Sequence, residues 1–502
     1  MGTAVIAAYL VRPSASIDFF FDEMWRVDFI RAVDPIERMF THDTPVPLGW
    51  IYLMKAGTWF TPEGFAWIRL LSWVAVVAFA VVTFLVFAEI SRRRPLIGSG
   101  HSIHVVVAAA ACLALPMLPG VFRYFDNFNN YPFEALYLAL AVCFALWLDR
   151  SSWAWWAFLA TIGVAPFFVI GPLLALPALI VRAGSYAWAH KNERPRLMLQ
   201  LGAACLIAAC VAAAMYLGLY ARLTSADSVA GFWANDSLPN GLRDLPHQML
   251  VAWRQMGAQI VDAARFDGTL GLAVSALAVA AFVVGAWEIS RRWPWYLAAL
   301  ACGWFLTIPA ALVAGWPVTA VRVNFAFVAM AFALTTFGFF RIVQWLAGLI
   351  PGERIWPAVI CFGVVFALML PAPIQADTSV FARGLRADLA PIAESPSNDN
   401  VVLSYHFKSH FYPHDLLINF KHGDRSYVIV REERGDQAIY DDVDEIVAEN
   451  LRPGGILWCI VPNEPDREKM SKACRFDNPN LAEVWRSNGS QADIIGYELT
   501  ED

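Results

Sequence analysis

The residues best equipped for chemistry lie early in the chain. An aromatic run, Phe19-Phe20-Phe21, ends on the adjacent carboxylates Asp22 and Glu23, and about twenty residues later comes Thr41-His42-Asp43-Thr44-Pro45-Val46-Pro47. An ionised carboxylate within hydrogen-bond reach of a hydroxyl can take its proton. Successive helix positions project about 100° apart, so one carboxylate of the pair points into a given site and Asp22 is the first choice. A plainer reading stands beside this one. Asp22 can cap a short interfacial helix that begins at Glu23, with Trp25 and Phe29 in the headgroup layer. Two further places on the same expected face hold arginines: Arg123-Tyr124-Phe125-Asp126, and Arg322 in the turn Trp316 to Asn324. A guanidinium fork matches phosphate oxygens; the alternative for each arginine is an interfacial side chain reaching for water.

These residues need elements to position them, and composition says which kind. The 502-residue chain is 58% hydrophobic and 16% charged, with a mean hydropathy of +0.50. That charge is well below a soluble domain's average, and repeated apolar stretches of about twenty residues predict a multi-span membrane protein. A net charge of −6 and the lack of a basic tract with interleaved aromatics exclude nucleic acid as a partner. Residues 2–11 are apolar but only about half a span long, and lack a basic region before them. They predict a first span cut short or a start codon placed too far downstream. Spans follow at about 66–90, 102–120, 131–148, 197–218, 269–289, 294–315, 324–346 and 355–373. Residues 153–181, with Pro166, Gly171 and Pro172 near their middle, predict a hairpin of two short helices. The total is about eleven spans.

Charge orients them. The segments 91–101, 149–152, 182–196, 290–293 and 341–354 carry Arg92 to Arg94, Arg150, Arg182, Lys191, Arg194, Arg196, Arg291, Arg292, Arg341 and Arg354. The opposite loops, 12–65, 121–130, 219–268 and 316–323, are together more than twice as long with about as many basic residues. The denser set predicts the cytoplasmic side. The Asp22 loop and the C-terminus then face outward.

From about residue 376 the composition becomes that of a soluble domain. Strands are expected at 401–404, 456–461 after the Gly454-Gly455 turn, and 494–499, with a helix over 441–451. The domain boundaries are thus 1–375, membrane-embedded with the outer loop 12–65, and 376–502, a small α/β domain. Of the eight cysteines, six fall in apolar segments and read as small buried hydrophobes. Cys459 and Cys474 read either as a disulfide or as two unpaired thiols. His406, His410 and His414 lack a carboxylate at a suitable spacing, which argues against zinc.

The expected spans hold almost no ionisable residue near their midpoints, since Glu89, Glu134 and Glu288 fall toward ends. That counts against an ion-coupled transporter. Charge concentrates instead on one face, as in an interfacial enzyme whose substrate has its tail in lipid. On these residues the chain resembles the polytopic, polyprenyl-phosphate-sugar-dependent glycosyltransferases of the GT-C class, in the bacterial branch similar to protein mannosyltransferases. Asp22-Glu23 looks like the family's acidic motif. His42 to Trp50 looks like its Asp-His-Pro-Pro-type element, in altered order, and Arg123-Tyr124 resembles its arginine-containing segment before the fourth span. The resemblance implies a mostly α polytopic fold and transfer of a sugar, with inversion, onto a hydroxyl of a glycan, lipid or protein of the cell envelope. It implies catalytic roles for Asp22 and Glu23, and substrate binding by His42, Asp43, Arg123, Tyr124 and Arg322. It fixes no cofactor, and a magnesium or manganese ion bridging Asp22 and the phosphate is an alternative. A lipid or glycan transporter and a non-catalytic membrane scaffold are the rival readings.

Overall fold

The computed structural model describes residues 29–30, 34–41, 46–58, 71, 74–79, 81–83, 85–86, 89, 130–221, 238, 241–260, 268–291, 293–314, 316–318, 324–348, 390–393, 395, 400–405, 427–432, 451–462, 479–488 and 492–500. They fall into two compact units that divide between Ala376 and Asp377, with Phe29 and Ile30 counting in the second. The expected spans 102–120 and 355–373, and all but the last residue of the expected helix 441–451, lie outside the described residues. Leu451 itself is not helical.

The first unit is helical. Two short helices, α1 (Pro35–Thr41) and α2 (Leu48–Thr58), lie within the expected outer loop. Asp34 Oδ1 caps α1 by accepting from the backbone N–H of Ile36 and Glu37, at 2.9 and 3.3 Å, and Pro35 opens the helix. After the apolar helix Val74–Thr83 come α3 (Tyr131–Trp147), α4 (Ser152–Phe168), α5 (Leu176–Ala189) and α6 (Arg194–Met215). Then follow α7 (Leu245–Ile260), α8 (Gly268–Ser290), α9 (Pro294–Phe305), α10 (Thr307–Ala314) and α11 (Phe325–Gly348). Among the described residues three helical stretches are long and apolar enough to cross a membrane: Gly171–Ala189, Arg194–Tyr220 and Pro294–Leu312. α3 and α4, at 17 residues each, are shorter apolar helices.

The stretch 153–181 is a helix, a break and a second helix, as its prolines predict. Pro166 lies inside α4, Val169 is extended, and a 3-10 turn over Gly171–Ala175 leads into α5. The rings of Trp155 and Tyr186 are 5.6 Å apart, so the chain returns to the end it started from. Two boundaries differ from expectation. α5 continues to Ala189, and Arg182, expected to open a loop, lies inside it and pairs with Asp149 at 2.8 Å. The expected loop 219–268 contains α7, whose Leu245 and Met249 pack on Leu238, Ala311 and Val318.

Among the described residues α8 and α11 make the closest helix pair. Ala281 and Gly285 of α8 lie against Leu334 and Gly338 of α11, and Arg341 Nε donates to Glu288 Oε1 at 3.0 Å, so the two run parallel. A Cβ added at Gly285 would overlap the Leu334 carbonyl, and one at Gly338 the Ala281 carbonyl. Small residues four apart let the backbones touch, which is how helices associate where apolar burial offers no gain.

The second unit holds a five-stranded mixed sheet of order β2-β1-β3-β5-β4. β1 (Asn400–Tyr405) pairs parallel with β2 (Tyr427–Glu432) and β3 (Ile456–Pro462). β5 (Ala492–Leu499) pairs antiparallel with β3 and with β4 (Leu481–Asn488). The central β3 is buried on both faces from Ile456 to Val461, which explains its unbroken apolar run. Gly454, at φ 78°, makes the turn that enters it. β2 and β4 are strands that the sequence reading did not expect. β4 is exposed along most of its length, and Arg486 pairs with both carboxylate oxygens of Glu483 there, holding that carboxyl below its usual range. Cys459, in the buried middle of β3, is in a disulfide, so the unpaired-thiol alternative does not hold for it; its partner lies outside the described residues. Of the cysteines in apolar segments, Cys143 is buried but Cys210 is exposed on α6, contrary to expectation.

Two outcomes follow. Gly285→Val and Gly338→Val should each force the α8–α11 pair apart and lower stability by roughly 1–3 kcal/mol or more, read as a reduced melting temperature in detergent. Cys459→Ala should cost about 2–4 kcal/mol in the sheet unit. A reducing agent should lower the melting temperature of the unsubstituted chain but leave that of Cys459→Ala unchanged.

Candidate active site at one end of the bundle

The run Asn130-Tyr131-Pro132-Phe133-Glu134 dictates a helix start. Proline suits the first turn, and an acidic residue there suits the helix N-terminus. In the structure Glu134 is 3% exposed. Its Oε1 accepts from Asn130 Nδ2 at 2.9 Å and from the backbone N–H of Ile170 at 3.2 Å. Ile170 sits in the break between α4 and the 3-10 turn, where its N–H has lost its helical partner. A donor freed at a helix break must be met by a side chain or water, and Glu134 meets it. The carboxylate thereby joins the start of α3 to the end of α4.

The segment that follows His42 and Asp43 packs on the same corner. Trp50, 1% exposed, meets Phe133 edge-on with ring centroids 6.4 Å apart. Gly49 leaves no room for a side chain, since a Cβ there would lie 2.6 Å from the Phe167 ring. α6 ends in a π-helical turn, Tyr216–Tyr220, and from it Tyr220 Oη donates to the Val46 carbonyl at 3.2 Å. Single π turns within α-helices recur at functional sites.

A second anchor forms at the start of α11. Asn324, 2% exposed, donates from Nδ2 to the carbonyls of Pro317 and Val318 at 3.1 and 3.2 Å, and its Oδ1 accepts from Trp316 Nε1 at 3.3 Å. One amide side chain thus clamps the turn that leads into the helix. A cavity of about 30 Å³ places this start beside that of α3, because Ala135 and Leu138 line it together with Ala326 and Met330. The beginnings of α2, α3 and α11 therefore share one end of the bundle. Ion pairs mark the opposite end: Arg150 with Glu89, Arg182 with Asp149, and Arg341 with Glu288.

The residues singled out from sequence, Asp22, Glu23, His42, Asp43, Arg123, Tyr124 and Arg322, all lie outside the described residues. So do His406, His410 and His414. Described anchors stand near several of them in sequence: Val46 follows Asp43 by three positions, Asn130 follows Tyr124 by six, and Asn324 follows Arg322 by two. Among the described residues no group of three or more His, Cys, Asp or Glu is placed to hold a metal ion. Sequence reasoning missed Glu134, Tyr220 and Asn324 as organising residues. Only the Asn130/Glu134 spacing at a proline-marked helix start hinted at one of them.

No family model and no curated protein matches the chain. Among solved structures it is similar to the crystal structure of ArnT from Cupriavidus metallidurans bound to undecaprenyl phosphate. The identity is 14% over 98% of this chain and 97% of that one, with a TM-score of 0.45. The apo form of the same protein matches over the same shares at 14% identity, with a TM-score of 0.43.

Glu134→Ala should leave the Asn130 and Ile170 donors unmet, at about 1–3 kcal/mol for each buried group. Glu134→Gln keeps an acceptor oxygen and should lose less. Thermal denaturation of the two variants in one detergent checks the order; equal losses would remove the hydrogen-bonding role.

Proposed function

We propose that the chain is a membrane-embedded glycosyltransferase of the GT-C kind. It moves a sugar from a polyprenyl-phosphate donor to a hydroxyl of a cell-envelope acceptor at the outer face of the plasma or inner membrane. The observation that carries this reading is the gathering of anchors at one end of the bundle: Val46 to Trp50, Asn130 to Glu134, and the Asn324 clamp. Each flanks a stretch holding residues suited to phosphate or proton chemistry. A donor with its tail in lipid and its headgroup at the interface meets protein at such an end.

The chemistry follows from the groups. The departing phosphate is already ionised, so it needs charge stabilisation more than a proton. Arg123 and Arg322 supply it through charge-assisted hydrogen bonds. The acceptor hydroxyl needs a base, and Asp22 takes its proton, with Glu23 as the second choice. His42, Asp43 and Tyr124 bind the substrates. Attack from the face opposite the phosphate inverts the anomeric carbon. The sheet unit from residue 377 lies outside the cytoplasm on this reading, and the disulfide at Cys459 supports that, because disulfides persist in oxidising compartments.

Asp22→Asn keeps the shape but cannot take the proton, so transfer should fall about 10²–10⁴-fold while the protein still inserts and folds. The assay is transfer of labelled sugar from a polyprenyl-phosphate donor by the reconstituted chain. Near-normal turnover in Asp22→Asn would reduce that residue to a helix cap. Arg322→Ala should weaken both donor binding and turnover by roughly 1.5–3 kcal/mol, and Arg322→Lys should retain part of both. Binding of a non-hydrolysable donor analogue, measured beside turnover, separates the two effects.

A further inference from the structure

The end of the bundle opposite the anchors carries the α3–α4, α5–α6 and α8–α9 turns. Its carboxylates are largely taken up, Glu89 by Arg150, Asp149 by Arg182 and Glu288 by Arg341. Lys191, Arg194, Arg196 and Arg291 make no ion pair with any described residue, and in these turns only Glu193 remains to oppose them. Cations are therefore in excess here.

Two of these cations are held in one way. The Arg194 guanidinium lies 4.1 Å over the Trp188 ring, and that of Arg291 lies 4.3 Å over the Trp287 ring. Both indoles are more than half exposed, Trp188 at 62% and Trp287 at 56%. A guanidinium whose face lies on an indole keeps the N–H donors of its edge for another acceptor. An exposed indole beside it is apolar enough to sit on acyl chains at headgroup depth.

We propose that this end of the bundle binds anionic phospholipids, with the lipid phosphates on the edges of Arg194 and Arg291 and the chain roots against Trp188 and Trp287. A phosphodiester accepts two parallel N–H bonds from a guanidinium edge. Lys191 and Arg196 add long-range attraction that a negatively charged headgroup feels. A choline headgroup carries its own cation and cancels that attraction, so the surface selects phosphatidylglycerol over phosphatidylcholine.

The test places the full chain in bilayers of mixed phosphatidylglycerol and phosphatidylcholine, extracts it with its adjacent lipid, and measures the ratio of the two lipids by mass spectrometry. The unsubstituted chain should carry phosphatidylglycerol enriched several-fold over the bulk bilayer. Arg194→Gln/Arg291→Gln should return the ratio toward bulk, whereas Arg486→Gln in the sheet unit should leave the enrichment intact. A bulk ratio around the unsubstituted chain, or undiminished enrichment around the folded double variant, overturns the proposal. A salt series on the unsubstituted chain needs no variant to fold. Enrichment should fall as ionic strength rises, because exposed charges are screened, and enrichment indifferent to salt also overturns the proposal.

Discussion

A carboxylate buried in an apolar bundle must be met by donors, and a backbone N–H freed at a helix break must be met by an acceptor. Glu134 and Ile170 answer each other's need. Where water is absent, each would otherwise cost several kcal/mol. The pairing lets α4 stop at Phe168 and the chain turn back as α5. It also fixes the start of α3, on which Trp50 and the beginning of α2 pack. Much of the anchored end therefore depends on this one contact.

The two ends of the bundle use polar groups differently. At the anchored end, amide and carboxylate side chains bind backbone groups, as Asn324 binds Pro317 and Val318, and so hold turns in shape. At the other end, arginines pair with carboxylates on neighbouring helices and staple helix to helix. The first arrangement keeps short connecting segments in place beside stretches rich in candidate chemistry. The second leaves cations in excess beside exposed tryptophans. Between the ends, Gly285 and Gly338 bring α8 and α11 into backbone contact.

In the second unit the sheet divides its strands by environment. β1 and β3 are central, and the described part of each is strongly apolar. β4 lies at an edge, and its exposed Glu483, Trp485 and Arg486 give it no alternation to read. β2, at the other edge, is a six-residue strand between polar stretches. Its pairing with β1 over Asn400 to Tyr405 decides its conformation more than its own residues do.

The sequence by itself determined the helices near 131–148, 197–218 and 269–289, the helical break near Pro166, the entry to β3 at Gly454, and the change to a soluble composition near residue 376. These follow from hydropathy, proline and glycine, whose effects act over a few residues. Tertiary structure alone decided that Glu134 meets Ile170, that Tyr220 reaches Val46, and that Gly285 and Gly338 touch. It also decided that β2 and β4 complete the sheet. Each of these joins residues far apart in the chain, and the burial that makes them favourable exists only once the helices and strands have packed.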